Sequence, residues 1–446
     1  MNKILATITL SLGLTAATKA QTIQMNLPYF AGRAYTFILF QGDKQIAVQK
    51  DSIPKNGVFT LNVPKEYAPY TGMSRWQLEN GGLDIALSGR DFSISCMVEK
   101  PTKQDDFVYK GDANNPLLNA LLGKQRQLLG KANAINNVLN TFDKSEKNYP
   151  VFEEEYRKLQ KEYAAFQQNA VAQKNYADSV FNIFGIPTGV GTELYRTQEA
   201  SGKNIADYIV HRLDWDVLYT SGHWTDVIAS FVGIHVGVLK DKAIFATDFW
   251  TIGEKLKGNA TRYTDFAGKV AYYLTQQGMD DYIALIAPMV KESGLVSRYE
   301  GALMAYQGGS AGSHAADLEL STTNGTQKVP VTELAGADSS TLLIFYETGC
   351  GLCENLFQQL PGKYEQIRSK GVKVVAISAD ESEEKFKSKA STFPWKDSYC
   401  DYKGKSGVNF RNYGVVGTPT LFLIDKNGMV KARMAELGEV LAKLGE

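Results

Sequence analysis

The spacing of apolar residues changes along this 446-residue chain, and that change limits what it can fold into more than any single residue does. From Thr22 to about Val98 apolar and polar side chains alternate in short runs: Ala34 to Gln41, Ile46 to Ser52, Val58 to Val63 and Leu83 to Leu87. Gly42-Asp43, Asn56-Gly57 and Gly81-Gly82 punctuate these runs, and such pairs turn one antiparallel strand into the next. The pattern predicts an antiparallel β-sandwich over residues 21–110. From Asn115 to about Tyr306 turn pairs thin out and apolar residues recur at helical steps, as in Leu117, Leu118, Leu121, Leu122, Leu128 and Leu129, or Phe152, Tyr156, Leu159, Tyr163 and Phe166. Further helices are expected over Ile205 to Tyr219, Thr225 to Leu239, Phe245 to Leu256, Tyr263 to Gln277 and Asp280 to Lys291, giving an all-α middle domain over 115–307. Small, unbranched residues from Gly308 to Ser313 predict a flexible linker over 308–315. Beyond it, residues 316–446 alternate strands with helices, which predicts an α/β domain with a mixed sheet covered on both faces. The fold class is therefore multidomain, with β-sandwich, helical and α/β parts in that order.

Composition narrows the functional classes. Lys and Arg number 48 against 48 Asp and Glu, so the chain lacks the cationic excess that an electrostatic nucleic-acid binder needs to displace counterions. With 44% hydrophobic and 22% charged residues it is not a disordered chain, and four cysteines are too few for a disulfide-stapled scaffold. Met1-Asn2-Lys3, the apolar run Ile4 to Ala17 and the small residues of Thr18-Lys19-Ala20 read as a signal peptide over 1–20, cut after Ala20. The apolar run falls short of the ~20 residues that span a bilayer, so no membrane span is expected after cleavage. Export to a periplasm or cell envelope would place the thiols where disulfides form and are exchanged.

Cys350 and Cys353 carry the chemistry. Two residues apart at a strand-to-helix junction, they put one sulfur at the helix N-terminus and the other a turn inside, close enough to form and break a disulfide. Unpaired N–H groups and the helix dipole stabilise a thiolate at Cys350, which becomes the attacking sulfur, while the more buried Cys353 resolves the mixed disulfide. Glu347 is the nearest acid, either a proton relay to Cys353 or a solvated loop carboxylate. A zinc half-site would need two more soft ligands, and only Cys400 and His314 are at hand in the last domain. No metal and no organic cofactor is called for.

Gly417-Thr418-Pro419-Thr420 before the apolar strand Leu421 to Asp425 resembles the thioredoxin superfamily, in which a cis-proline loop faces the two cysteines. Ala316 to Leu320, Asn324-Gly325 and Leu334-Ala335-Gly336 narrow the resemblance to exported thioredoxin-like reductases of the TlpA and ResA type, over residues 316–446. It implies that Thr418 and Pro419 hold a substrate chain opposite the sulfurs. Three positions depart from the superfamily pattern: Ile344 replaces a buried carboxylate, Gly349 a tryptophan and Gln358 a proline. Asp51 to Leu61 resembles the small β-domain, of the DUF4369 type, that precedes such modules in Gram-negative envelope proteins. Its expected role is docking or dimerisation, and the second of these would give a homodimer.

Together these features point to thiol-disulfide exchange with disulfide-bearing envelope proteins, with a membrane electron donor if the direction is reductive. The competing class is an envelope binding protein whose thioredoxin-like part is idle, since about 300 residues of the mature chain lie outside it. A peroxidase is disfavoured, because peroxiredoxin-type sites carry threonine where this chain has Glu347. Cys400 is a third redox thiol, a partner of Cys96 or a lone half-buried thiol, and the last is preferred. The repeats His211 with Asp214 and His223 with Asp226 are read as structural rather than metal-binding.

Overall fold

Eight strands, β1 (Gln21–Asn26), β2 (Ala34–Gln41), β3 (Lys44–Ser52), β4 (Val58–Val63), β5 (Thr71–Leu78), β6 (Gly81–Ser88), β7 (Phe92–Ser95) and β8 (Val108–Lys110), open a computed structural model of the chain. It describes residues 21–170, 175–306, 311–322, 325–335 and 340–445. The expected signal peptide, the linker residues Gly308 to Ser310, and Asn324 and Gly336 lie outside the described residues.

The strands form two four-stranded sheets, ordered β4-β1-β7-β8 and β3-β2-β5-β6. All pairings are antiparallel except β1 with β7, which is parallel. Alternation drives this arrangement: Ile23 and Met25 from one sheet and Phe37, Leu39, Trp76 and Ile85 from the other share one core. Gly42 (φ +60°) and Gly57 (φ +71°) supply the positive φ that the expected turns need. Helices α1 (Asn114–Thr141) and α2 (Tyr149–Ala170) form a hairpin packed through Leu128, Ala132, Tyr156, Leu159 and Tyr163. A short α3 (Tyr176–Val180) follows. The sandwich, α1, α2 and α3 belong to one unit, residues up to Thr188 with Thr192–Leu194 and Asp216–Trp224.

The second unit takes in Gly189–Gly191, Tyr195–Trp215 and everything from Thr225 on. Its helical elements are α4 (Gln198–Asp207), α6 (Trp224–Gly233, from Thr225 on), α7 (Lys242–Leu256), α8 (Ala260–Gln276) and α9 (Asp280–Glu292); the short α5 (Trp215–Tyr219) between the first two belongs, after Trp215, to the first unit. α4 and α6 each run on into a π-helical turn, Tyr208–Arg212 and Ile234–Leu239, where uninterrupted α-helix was expected. In the second turn the ring nitrogens of the fully buried His235 lie 2.8 Å from the Phe231 carbonyl and 2.9 Å from the Asp248 carboxylate. None of the described helices is long and apolar enough to cross a membrane.

The hairpin β9 (Leu318–Thr322) and β10 (Gly325–Val329), then α10 (Val331–Ala335), lead into the C-terminal sheet. Its strands are β11 (Ser340–Tyr346), β12 (Val372–Ser378), β13 (Ser398–Cys400), β14 (Thr420–Ile424) and β15 (Val430–Met434), in the order β13-β12-β11-β14-β15. β11, β12 and β13 run parallel, and β14 and β15 antiparallel to their neighbours, so the sheet is mixed. Alternate residues of β11 point to opposite faces. Leu342, Ile344 and Tyr346 pack with α11 (Gly351–Ser369) and α14 (Leu437–Gly445), while Leu343 and Phe345 pack with Leu318, Phe410 and Tyr413. α12 (Glu383–Ala390) and α13 (Val408–Asn412) complete the domain.

The Gly/Ser stretch is not loose at its far end. Gly312 N–H donates to Val430 O at 2.7 Å, Val430 N–H to Ser313 O and Ala315 N–H to Gly428 O, pinning this segment along the β14–β15 hairpin. Within the same unit Arg433 of β15 is buried against Asp280 at the head of α9, with Nε 3.8 Å from Oδ1, and donates to Gly414 O at 3.1 Å. Burial drives the Asp280 carboxyl up to about 7, only partly opposed by Arg433, and pushes the Arg433 guanidinium down. Removing one member would strand the other charge in the interior, so Asp280→Ala should cost about 3–5 kcal/mol in denaturant unfolding of the full chain. Lys203→Ala, which breaks the exposed Lys203–Glu199 pair, should leave the denaturant midpoint nearly unchanged.

Candidate functional site

The site is built where β11 ends and α11 begins. β11 is buried over its whole length after Ser340, so the chain leaving it at Tyr346 is fixed in position. The next residues, Glu347 to Gly349, form a tight loop: Cys350 N–H donates to Glu347 O at 3.2 Å, and Gly349 has φ +88°, which favours glycine there. Cys350 is the residue that caps α11, with Gly351 as the first helical position. Cys353 lies one turn inside and is fully buried among Tyr346, Leu356 and Phe357.

Across from this turn, Thr418-Pro419 is a cis peptide directly preceding β14, and Cys350 Sγ donates to Thr418 O at 3.3 Å. The structure therefore brings Cys350, Cys353, Thr418 and Pro419 together. It places Glu347 differently: the carboxylate pairs with Lys405 at 2.9 Å, and what acts on the Cys353 sulfur is the Glu347 main chain. Glu347, Thr348, Asp380, Glu381, Lys385 and Lys405 line a cleft of about 510 Å³ beside the loop.

The two thiols have opposite electrostatics. Partial burial raises the Cys350 thiol, but the amides of Cys353 and Leu352 at the head of the helix, with the side chains of Cys353 and Thr418, outweigh it and leave the thiol below its usual range. Burial pushes Cys353 up to about 12. Only one of the pair is an accessible nucleophile near neutrality, the arrangement that sequential attack and resolution require.

Two carboxylates that spacing could not single out hold the loop. Asp380, just beyond β12 and 4% exposed, accepts from Thr348 N–H (3.1 Å), Thr348 Oγ1 (2.6 Å) and Ser378 Oγ (2.7 Å). Glu354 of α11 reaches back to Gly349 N–H at 3.2 Å and pairs with Lys389, and that pairing holds its carboxyl below the usual range. Ile344, where a buried acid was absent, is a core residue of β11. The polar anchor comes instead from the adjacent strand, and only the parallel register of β11 with β12 brings it there. Cys400, 9% exposed, donates to Asp380 O at 3.1 Å, and Cys96 is buried in the sandwich of the other unit. Among the described residues no group of three or more His, Cys, Asp or Glu is placed to hold a metal, and His223 packs edge-on against Phe184 at 5.0 Å.

Two outcomes follow from this geometry. The alkylation rate of the reduced protein by iodoacetamide should rise with pH and reach its plateau at lower pH than a free thiol does, with label on Cys350, while Cys353 stays unmodified until the solution is far more alkaline. Mass spectrometry of digests reads both sites. Asp380→Ala should cost about 1–3 kcal/mol on unfolding, by leaving the Thr348 donors unpaired, and should move the ultraviolet thiolate transition of Cys350 to higher pH.

Comparison with known proteins bears on the same segment. Residues 311–433 match the family described as AhpC/TSA. ResA, a thiol-disulfide oxidoreductase of Bacillus thuringiensis subsp. konkukian, is 32% identical over 104 residues, which is 23% of this chain and 58% of ResA. Nucleoredoxin of Xenopus laevis is 37% identical over 113 residues, 23% of this chain and 27% of that protein. This chain thus spans little more than half of ResA and about a quarter of nucleoredoxin. A solved thiol-disulfide oxidoreductase from Bacteroides fragilis is 23% identical, covers 29% of this chain and 98% of its own, and has a TM-score of 0.26. The C-terminal region of this protein is a thioredoxin-like domain of the AhpC/TSA family, of the type that ResA carries.

Proposed function

We propose that this protein is an exported thiol-disulfide oxidoreductase that reduces disulfides in proteins of the bacterial envelope. The observation that carries the reading is the pairing of an accessible, acidified Cys350 with a buried, protonated Cys353, set opposite the Thr418 carbonyl. The Cys350 thiolate attacks one sulfur of a substrate disulfide, so that a Cys350–substrate bond forms as the substrate S–S bond breaks and a substrate thiolate departs. Forming the mixed disulfide removes the Cys350 charge that helps hold the proton on Cys353, and the departing substrate thiolate accepts that proton. Cys353 then attacks the Cys350 sulfur, closing the Cys350–Cys353 disulfide and releasing the second substrate thiolate. Two electrons have passed from protein to substrate, and a membrane dithiol donor restores the reduced pair.

Thr418 and Pro419 hold the substrate chain, because an extended peptide laid beside Thr418 can pair with backbone groups there while its sulfur meets Cys350. Glu347, tied to Lys405 in the wall of the cleft, serves in this reading as a contact for the substrate rather than as the base. Support for export comes from the pattern of Met1 to Ala20, and support for thiol-disulfide exchange from the similarity to the thiol-disulfide oxidoreductase ResA.

Replacing Cys353 by Ala removes the resolving sulfur, so the variant expressed in a Gram-negative envelope should accumulate mixed disulfides on Cys350. They are visible as adducts on non-reducing gels that vanish on reduction, and Cys350→Ala should show none. If Cys353→Ala traps no partner and Cys350 titrates like an ordinary thiol, the chain is better read as an envelope binding protein with an idle disulfide.

A further inference from the structure

The loop that carries Thr418 is fastened from outside the thioredoxin-like domain. Gly414 (φ +59°) lies so close to the 301–306 turn that a Cβ on it would fall 2.8 Å from Ala305 N, and its carbonyl accepts from the buried Arg433. Arg433 in turn sits 5.3 Å over the Phe422 ring and 3.8 Å from Asp280 of α9. Three residues on, a Cβ on Gly417 would meet the amide of Gln276 at the end of α8, with Nε2 at 3.4 Å and Oε1 at 4.0 Å. Gln276 is exposed, Gly417 and Thr418 are half-buried, and the Thr418 carbonyl is 3.3 Å from Cys350 Sγ. An amide that both donates and accepts therefore stands one residue from the backbone against which a substrate strand would lie.

We infer that Gln276 is a substrate-contacting residue of this site, and that the α8 end supplies a wall of the docking groove that hydrogen-bonds the backbone of an extended, disulfide-bearing polypeptide passing along Gly417 and Thr418. This rests on the exchange activity proposed above and adds the substrate class to it: a chain long enough to reach past the reacting sulfur to α8, not a small disulfide. A small aromatic disulfide that meets only Cys350 would not touch Gln276. A peptide disulfide would, and losing one hydrogen bond to it is worth about three- to tenfold in binding.

The test uses the reduced full chain and two probes, an oxidised unstructured peptide with one disulfide and 5,5′-dithiobis(2-nitrobenzoate). Gln276→Ala should lower kcat/KM for the peptide about three- to tenfold, through KM, and leave both the rate with the aromatic disulfide and the thiolate transition of Cys350 as in the parent. Gln276→Glu, which keeps only the acceptor, should fall between the two. Equal losses with both probes would mean that Gln276 merely props the loop, and an unchanged peptide rate would mean that it touches nothing; either overturns the inference while exchange itself stands. A parent chain that reacts with neither probe removes the exchange activity and the inference together.

Discussion

A sulfur atom at a helix terminus is held where it is by the peptide groups around it, and everything proposed for this chain depends on that placement. Cys350 caps α11, so the amides of the first turn converge on its Sγ without any cationic side chain having to approach. One turn later the same helix buries Cys353 against Tyr346 and Phe357, where a charge on sulfur is costly. The contrast between the two thiols is thus made by hydrogen bonds and burial, with no cation involved. Shifting the start of the helix by one residue would undo it, which is why the loop before it is held at both Thr348 and Gly349.

Much of this could be read from residue order. The alternation in Ala34 to Gln41 and the glycines at 42 and 57 specify strands and turns locally, since side-chain period and positive φ are properties of a few consecutive residues. The same holds for the apolar faces of α1 and α2, and for Cys350-x-x-Cys353 before a helix. What residue order left open depends on register between distant segments. Asp380 is a serviceable acid in any loop until β12 lies parallel to β11 and brings it under Thr348. Glu347 is the acid nearest Cys353 in sequence, either relay or loop carboxylate by residue order, and the pairing of its carboxylate with Lys405 is set by a segment far along the chain. The π-helical turns after α4 and α6 and the parallel β1–β7 pair likewise answer to packing rather than to local pattern.

The helices that precede the thioredoxin-like domain are drawn into its architecture by one costly arrangement. Asp280 and Arg433 are both buried, yet neither oxygen of Asp280 accepts a hydrogen bond among the described residues. A pair so incompletely satisfied is a poor source of stability compared with apolar packing of the same volume. Its value lies in geometry: it ties the head of α9 to β15 and, through Gly414, to the loop before Pro419. The exposed Leu352 between the two cysteines gives the opposite face of the site an apolar edge.

The segment entering the last domain carries one more implication. Tyr306 is buried with its hydroxyl on Ala267 O, and Gly312 is bonded to Val430, so six peptide steps join two fixed points. Such a leash reaches at most about 20 Å even when taut. While both moorings hold, the 301–306 turn and the β14–β15 hairpin stay within that span of each other, so the α8 end that packs on the turn keeps company with the proline loop.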